Sequence, residues 1–149
     1  MEMKDLFVAD TNAIIRYFKT VFNVSKELST KAKKIISDSF DDNANIRLSI
    51  PSVVFLEIFE KWCRTSEQRS MIYYDVFIPI RDAQNIEIKP IDIEVLENLI
   101  YIGGELNDHD IHDKLVLASA MMLDCPLITS DAKIRTYVDK TRIIPGVFS

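Results

Sequence analysis

The fold is first indicated by residues 6–12, which read Leu6-Phe7-Val8-Ala9-Asp10-Thr11-Asn12. Four consecutive apolar residues end at an acid, and two small polar residues then lead into a segment with apolar positions at helical spacing. A short apolar run is typical of a strand buried on both faces, and a helix directly after it is typical of a parallel strand–helix unit. The pattern therefore predicts a buried strand that ends at Asp10 and a helix over residues 11–22.

The same alternation of short apolar runs and amphipathic segments continues along the chain. Further strands are predicted over residues 46–50, 86–89, 126–129 and 142–144. Further helices are predicted over residues 25–40, 51–63, 66–82, 92–101 and 114–123, with a short helix opened by Ser130-Asp131. Because strands alternate with helices and tight-hairpin turns are almost lacking, we expect an α/β fold in three layers, with a central parallel sheet flanked by helices.

The composition fits one folded domain. The chain has 149 residues, of which 48% are apolar and 28% are charged, and this is enough to bury a core. With only 3 Gly and 5 Pro, a disordered or collagen-like chain is excluded. Two cysteines, Cys63 and Cys125, are too few for a disulfide framework and lack the spacing of a structural zinc site. We expect a single domain over residues 1–149.

Apolar runs long enough for targeting or membrane insertion are not found in the sequence. The first apolar run spans only residues 6–9, unlike a secretory signal peptide. The longest, around residues 115–123, is interrupted by Ser119 and is far shorter than the ~20 residues that a membrane helix needs. These features predict a soluble, cytoplasmic protein without a membrane segment.

The charges are distributed unevenly along the chain. Residues 82–131 hold 11 acidic and 2 basic residues, a net charge of −9, whereas the remainder holds 12 acidic and 16 basic residues, a net charge of +4. So acidic a segment argues against a protein that binds nucleic acid by charge alone. Two interpretations remain for it: a solvated surface, or a site that collects carboxylates around a cation.

Four acids fall where predicted strands and helices meet. Asp10 and Asp131 follow predicted strands, Glu57 lies six residues after Pro51, and Asp113 directly precedes an apolar helix. The carboxyl ends of parallel strands share one edge of a sheet, so these side chains are candidates to meet there. Each also has an ordinary explanation, because Asp is a common helix N-cap, acids are favoured in the first turn of a helix, and most Glu side chains are solvated.

If the four carboxylates converge, they cannot all stay ionised without compensation. Carboxylate oxygens are hard ligands that suit Mg²⁺ or Mn²⁺ better than zinc. Two such ions would also allow the site to accept a phosphodiester. On this hypothesis the chain is a metal-dependent phosphoryl-transfer enzyme.

Four blocks cover nearly the whole chain in order: Val8-Ala9-Asp10-Thr11-Asn12, Pro51-Ser52-Val53-Val54-Phe55-Leu56-Glu57, Asp110-Ile111-His112-Asp113-Lys114-Leu115-Val116-Leu117-Ala118-Ser119-Ala120 and Leu127-Ile128-Thr129-Ser130-Asp131. Together they resemble the PIN domain, a family of metal-dependent ribonucleases that includes the VapC-type toxins of prokaryotic toxin–antitoxin systems. The resemblance implies a three-layer PIN-like fold, RNA hydrolysis with Mg²⁺ or Mn²⁺, and a homodimer. For the toxin of a type II system it also implies an antitoxin protein that covers the site.

Position by position, the resemblance implies catalytic, metal-binding acids and two supporting polar groups. The acids are Asp10, Glu57, Asp113 and Asp131, and the supporting groups are Asn12 and Ser130. The third acid has a second candidate, because Asp110 lies three residues before Asp113 and such a pair can share one helix face. Asp113 is favoured because it directly precedes the apolar run.

Basic residues outside the acidic segment are candidate contacts to an RNA backbone. They form two groups: Lys26, Lys31, Lys33 and Lys34 on one predicted helix, and Lys133, Arg135, Lys140 and Arg142 near the end of the chain. The candidates for RNA binding are Lys31, Lys34, Lys133 and Arg135, with plain surface lysines as the alternative. His109 and His112 are either ligands or catalytic groups, or ordinary surface residues.

Two further questions stay open in the sequence. The segment of residues 60–89 is longer than the corresponding segment of the smallest family members. It carries Trp62, Tyr73, Tyr74 and Phe77, which either form a dimer or partner surface or simply pack in the core. The function is either that of a toxin, that of a housekeeping RNA-processing nuclease, or that of an inactive PIN-like module that binds RNA or protein. An aspartyl phosphatase fits poorly, because Asn12 stands where its second acid is usual.

Overall fold

The computed structural model describes residues 4–149, so residues 1–3 of the amino-terminal segment weighed above as a signal peptide lie outside it. The strands are β1 Asp5–Ala9, β2 Ile46–Pro51, β3 Ile86–Lys89, β4 Leu127–Ile128 and β5 Val147–Phe148. They form one sheet in the order β3-β2-β1-β4-β5, and every neighbouring pair is parallel. The predicted central parallel sheet is confirmed.

Helices flank the sheet in three layers. They are α1 Thr11–Tyr17, α2 Lys19–Phe22, α3 Thr30–Ser39, α4 Ser52–Trp62, α5 Ser66–Ile72, α6 Ile78–Asp82, α7 Ile93–Leu99, α8 Ile111–Leu123 and α9 Ala132–Thr141. A π-helical turn, Tyr73–Phe77, joins α5 to α6, and a 3₁₀ turn, Gly104–Leu106, precedes α8. Within residues 4–149, no helix combines the length and the apolar character that crossing a membrane requires.

The central strand β1 brings the predicted sequence blocks together. Val8 is paired with Ser49 of β2 on one side and with Leu127 of β4 on the other. Val8 and Ala9 are fully buried, as expected for a strand covered on both faces. Because β1, β2 and β4 run in the same direction, the residues that follow them meet at one edge of the sheet.

Several predicted helix boundaries shift for local reasons. The helix predicted over residues 11–22 is divided at Phe18, which adopts a non-helical conformation between α1 and α2. The helix predicted from residue 25 begins only at Thr30, where the Ser29 hydroxyl accepts a hydrogen bond from the Ala32 N–H and caps it. Conversely, α8 begins three residues earlier than predicted, at Ile111, because Asp110 caps it.

The last strand is the one element predicted at the wrong place. Residues 142–144 were expected to form it, but α9 extends to Thr141, and Arg142 closes the helix in the left-handed conformation, with φ of 56°. The chain then turns through Pro145 and Gly146 and pairs with β4 only at Val147–Phe148. A β-branched run therefore serves as the exit from a helix rather than as a strand.

The aromatic residues of the segment 60–89 divide between the two interpretations. Trp62 and Phe77 are partly buried and pack against the core. Tyr73 and Tyr74 stay exposed, at 43% and 66% of their surface. Core packing thus holds Trp62 and Phe77 in place, and the two tyrosines are exposed to contact with another molecule.

Candidate active site

Asp10 is the most buried acid of the predicted site, with 7% of its surface exposed. It ends β1, and its N–H donates to the Ile128 carbonyl oxygen at 3.1 Å, which fixes it beside β4. Its Oδ1 accepts from the Ala13 N–H at 2.8 Å and so caps α1. Burial raises the pKa of Asp10 to about 6 against hydrogen bonds from Thr129 and Ala13, and the nearby carboxylates of Asp113 and Asp131 raise it further.

Asp131 caps the first turn of α9. Its Oδ1 accepts from the N–H groups of Lys133 and Ile134, at 2.9 Å and 3.0 Å. Its Oδ2 lies 2.8 Å from Nε2 of His109. Burial alone would raise the pKa of Asp131, but the hydrogen bonds from His109 and the two backbone groups outweigh it and lower the pKa below its ordinary value.

Asp113 lies in the first turn of α8, half-buried among the other acids. Burial raises its pKa; His109 opposes this change, and the charges of Asp131, Glu57 and Asp110 reinforce it. One ligand atom each from His109, Asp113 and Asp131 lies within 4.8 Å of the others, which is close enough to hold one cation. Asp113 is therefore the acid that interacts by charge with each of the others.

Asp110, the second candidate for the third acid, is a more exposed helix cap. Its Oδ1 accepts from the N–H of His112 at 2.8 Å and lies 2.7 Å from Nδ1 of the same residue. These hydrogen bonds lower the pKa of Asp110, against the small effect of burial. Its burial and charge environment differ from those of Asp113, which supports Asp113 as the more central of the two.

Glu57 reaches the site from α4, which contacts α8. Its side chain is buried, and Oε2 lies 3.2 Å from Nζ of Lys61 and 3.7 Å from Nδ1 of His112. Ligand atoms of Glu57, Asp110 and His112 lie within 4.8 Å of one another, in a second group beside the first. The charges of Asp113 and Asp131 act on Asp10, and those of Glu57 and Asp110 act on Asp113, so all four predicted acids and Asp110 lie near one another at the carboxyl edge of the sheet.

Three further side chains lie at this edge, and one of them, Thr129, was not identified from the sequence as part of the site. His109 and His112, which the sequence left open as ligands, catalytic groups or surface residues, are hydrogen-bonded to Asp131 and Asp110. A functional role for them stays a prediction. Thr129 is fully buried; its hydroxyl donates to the Asp10 carboxylate and accepts from the Asp131 N–H at 3.1 Å. In the sequence, Thr129 could have been found from its hydroxyl, which stands directly before Ser130-Asp131.

The two predicted supporting groups lie at the rim. The Ser130 hydroxyl accepts from Nη1 of Arg16 at 2.6 Å, which connects α1 to the loop before α9. Asn12 is exposed, and its side chain makes no hydrogen bond within residues 4–149. Neither side chain contacts the four acids directly in the described part of the chain, so a supporting role would act on a bound substrate or through the loop.

The four candidate RNA contacts fall at two places. Nζ of Lys31 lies 4.6 Å from the ring centre of Phe148, and Arg135 donates to the Ser149 hydroxyl at 2.8 Å, so both reach the end of β5. Lys133 lies in the first turn of α9, two residues after the cap Asp131. Lys34 is exposed and pairs with Asp38 on its own helix at 2.9 Å. Three of the four therefore lie on the β4–β5 side of the site, and Lys34 lies further along α3.

The profile of the PIN domain matches residues 7–140. The chain belongs to the PIN domain family. PIN domains are generally nucleases, and the matched residues include every acid described above. None of the curated proteins matches the sequence of this chain.

Solved structures with low sequence identity share this PIN fold. FitAcB from Neisseria gonorrhoeae superposes with a TM-score of 0.65 at 14% identity, over 96% of each chain. VapBC2 from Rickettsia felis, bound to a DNA fragment from its promoter, gives a TM-score of 0.63 at 12% identity, over 95% of this chain and 96% of that one. A toxin–antitoxin complex from Klebsiella pneumoniae gives 0.52 at 19% identity, over 98% and 97%. These likenesses concern the fold.

The donor set of this PIN domain fits a divalent cation. Asp10, Glu57, Asp113 and Asp131 supply a formal charge of −4 when ionised, and the raised pKa values of Asp10 and Asp113 reflect their burial and their mutual repulsion. A cation of charge +2 would relieve that repulsion and restore full ionisation. Carboxylate ligands favour Mg²⁺ or Mn²⁺, and the adjacent imidazoles are compatible with Mn²⁺.

Proposed function

We propose that the chain is an endoribonuclease that hydrolyses RNA phosphodiester bonds with Mg²⁺ or Mn²⁺. The observation that supports it is a set of acids at the carboxyl edge of the sheet in a PIN domain: two adjacent groups that hold Glu57 and Asp110, and Asp113 and Asp131, with Asp10 near enough to the second group to be affected by its charges. A bound cation would reduce the repulsion between these carboxylates and an RNA backbone, so the metal should strengthen binding of the substrate. We also propose that residues 1–149 act as one nuclease domain in the cytoplasm.

In this proposal Asp10, Glu57, Asp113 and Asp131 are the metal ligands, with Asp110 as an accessory acid. When bound, the cation lowers the pKa of water and stabilises the negative charge that develops on the phosphate. His109 holds one oxygen of Asp131, and Thr129 holds Asp10 beside it, so the ligands are oriented before the cation arrives. Lys61 pairs with Glu57 and His112 lies beside it, so a cation bound by Glu57 would compete with Lys61 for the same carboxylate.

The test is cleavage of a pool of structured and single-stranded RNAs by the purified protein, with Mg²⁺, Mn²⁺ or a chelator. Asp113→Asn should lower the cleavage rate by about 100-fold or more, because it removes a charged ligand from the centre of the acid cluster. Asp75→Asn, at an exposed acid in the π-helical turn, is the matched control and should cut like the wild type.

The results separate the proposed enzyme from its alternatives. Cutting that depends on the metal and is lost in Asp113→Asn supports the nuclease. Cutting that persists in chelator would contradict the metal requirement. If the protein neither cuts RNA nor shows carboxylate-dependent metal binding by calorimetry, the chain is an inactive PIN-like module that binds RNA or protein. The presence of all four acids argues against that alternative.

We further propose that the nuclease is the toxin of a type II toxin–antitoxin pair and forms a homodimer. The fold likeness to a toxin–antitoxin complex supports the first part. An antitoxin with a basic side chain placed among the carboxylates would compete with the cation for the same charge. Growth arrest on expression, relieved by the gene next to it, would separate a toxin from a housekeeping nuclease, and sedimentation would measure the oligomeric state.

The RNA backbone would be contacted by basic residues around the acid cluster. Lys31, Lys133 and Arg135 are favoured by their place near the ends of β4 and β5, and Lys34 is the weakest candidate because Asp38 already pairs with it. Each contact to a phosphate should lower the slope of log affinity against log salt by about 0.7 when it is removed. Lys31→Ala and Lys34→Ala, compared side by side, test this order.

A further inference from the structure

A cavity with both apolar and polar lining lies between α1, α4 and the loop after α2. Its volume is about 400 Å³, and it is open to solvent. The polar and aromatic side chains that line it come from three separate parts of the chain. They are Asn12, Arg16, Asn23, Ser25, Lys26 and Trp62.

Two walls of the cavity belong to helices that also carry or hold the proposed metal site. Asn12 and Arg16 belong to α1, the helix that Asp10 caps, and Arg16 donates to Ser130, the neighbour of Asp131. Trp62 ends α4, five residues after Glu57 and so ~7.5 Å further along the same helix axis. Helix α1 therefore connects the acid cluster to the cavity.

The charge of the cavity is opposite to that of the acid cluster. It is lined by a guanidinium and an ammonium, and no carboxylate lines it. Among the ion pairs in the described residues none includes Arg16, whose recorded partner is the neutral Ser130 hydroxyl. In a chain of net charge −5, two cations that share a concave wall without an acid favour an anion there. A basic segment of a protein partner would be repelled.

Trp62 gives the cavity an aromatic wall. Its ring packs edge-on against Phe22, with centroids 5.4 Å apart and an interplanar angle of 79°, and it also lines the cavity. An indole held by packing on one side and open on another is a platform on which a base can stack. The Asn12 and Asn23 amides both donate and accept hydrogen bonds, as base edges require.

We propose that this cavity binds one unpaired nucleotide of the RNA substrate, next to the phosphodiester that is cut: Arg16 and Lys26 bind its phosphate and Trp62 stacks on its base. The inference rests on the proposed ribonuclease function for the identity of the substrate. A base can reach Trp62 only when it is unpaired. Arg16 is in this view a substrate-binding residue that also positions Ser130.

The single tryptophan of the chain makes the cavity directly observable. The probe is an unstructured ten-nucleotide RNA, titrated into the full chain in chelator and low salt so that nothing is cut. Indole fluorescence at Trp62 should be quenched saturably as the base stacks. Fluorescence anisotropy of the labelled RNA follows total binding in the same samples, and free N-acetyltryptophanamide corrects for absorption by the RNA.

Two variants and a matched control assign the signal. Lys26→Ala removes an exposed cation that no packing depends on, and Arg16→Ala removes the guanidinium; each should weaken the quenching midpoint by about tenfold, as expected for one lost charged hydrogen bond. Arg81→Ala removes the same charge from the far end of α6, where Arg81 pairs with Asp82, and should leave the midpoint unchanged.

Each outcome decides the proposal separately from the nuclease. Saturable quenching that weakens in Arg16→Ala and Lys26→Ala but not in Arg81→Ala supports the nucleotide site, even if the RNA pool is never cut. RNA binding by anisotropy with unchanged Trp62 fluorescence overturns the site, and metal-dependent cleavage by the same preparation would leave the nuclease standing. Equal weakening in all three variants also overturns it, since only overall charge would then matter.

Discussion

Replacement of Asp10 by Asn should stabilise the metal-free protein. The carboxyl of Asp10 has a pKa of about 6 in the folded chain against 3.8 for the unperturbed group, mainly because it is buried. Above pH 6 the folded state therefore contains a buried carboxylate whose ionisation lowers the free energy of unfolding. The difference corresponds to about 3 kcal/mol at ~1.4 kcal/mol for each pH unit, and an amide avoids it.

The amide keeps the local structure while it removes the charge. Asn is as good an N-cap as Asp, and its carbonyl oxygen can accept the Ala13 N–H in place of Oδ1. The amide nitrogen can donate to the Thr129 hydroxyl, which rotates to accept it. The expected gain at pH 7.5 in chelator is thus up to about 3 kcal/mol, or roughly 6–12 °C in Tm for a chain of this size.

The contribution of Asp10 to the unfolding free energy depends on pH, and the direction of that change follows from its raised pKa. Because the folded pKa of this acid is raised, wild-type stability from Asp10 is present below pH 3.8 and is lost as pH rises to about 6. The free-energy difference between Asp10→Asn and the wild type should be near zero at pH 3.5 and grow to its full value by pH 6.5. Mn²⁺ or Mg²⁺ should stabilise the wild type more than the variant. The difference in unfolding free energy between the two proteins should then become smaller or change sign.

Urea unfolding of both proteins from pH 3.5 to 8, with chelator and with metal, measures all of this. Asp92→Asn is the matched control, since Asp92 also caps a helix, α7, but is exposed and has a lowered pKa. It should change stability little or reduce it slightly. An Asp10→Asn protein that is less stable than the wild type at pH 7.5 in chelator, or a difference that does not depend on pH, would refute this account of the site.

Three further outcomes follow from the packing and hydrogen bonds. His109→Ala should raise the pKa of Asp131, because it removes a hydrogen bond that lowers it, and a carbon-13 titration of the Asp131 carboxyl will measure the change. Burial raises the pKa of both thiols, that of Cys125 to about 12, so a disulfide reagent at pH 8 should modify Cys63 slowly and Cys125 only after unfolding. Leu117→Ala, at a fully buried position of α8, should lower the unfolding free energy by about 2–5 kcal/mol in a urea titration.

The sheet and the acids were predictable because both depend on short patterns. β1 and β4 are apolar runs closed by polar residues, and Asp10 and Asp131 stand at fixed offsets from their ends. Parallel pairing then brings the two ends together without any further information. Local pattern, together with one topological rule, accounts for most of the site.

The histidines were not predictable in the same way. The contact of His109 with Asp131 joins residues 22 positions apart, and it depends on how the 3₁₀ turn before α8 directs the chain toward the start of α9. The prediction of the position of β5 was wrong for a related reason. The run Arg142-Ile143-Ile144 has the side chains of a strand, but its conformation is decided by the end of α9, which a residue in the left-handed region closes.

The sequence left two explanations for Asp10 and Asp131, helix cap or metal ligand, and the geometry makes them compatible. A carboxylate has two oxygens: in Asp131, Oδ1 accepts from the backbone of α9 while Oδ2 faces His109. Oδ1 of Asp10 likewise holds the Ala13 N–H. The cap thus fixes the side chain, and what it fixes is the direction of the remaining oxygen. Ala at either position would lose the cap, at about 1 kcal/mol, together with the charge, whereas Asn loses the charge alone. Only the Asn variants can therefore separate what these acids do for the fold from what they do for a cation.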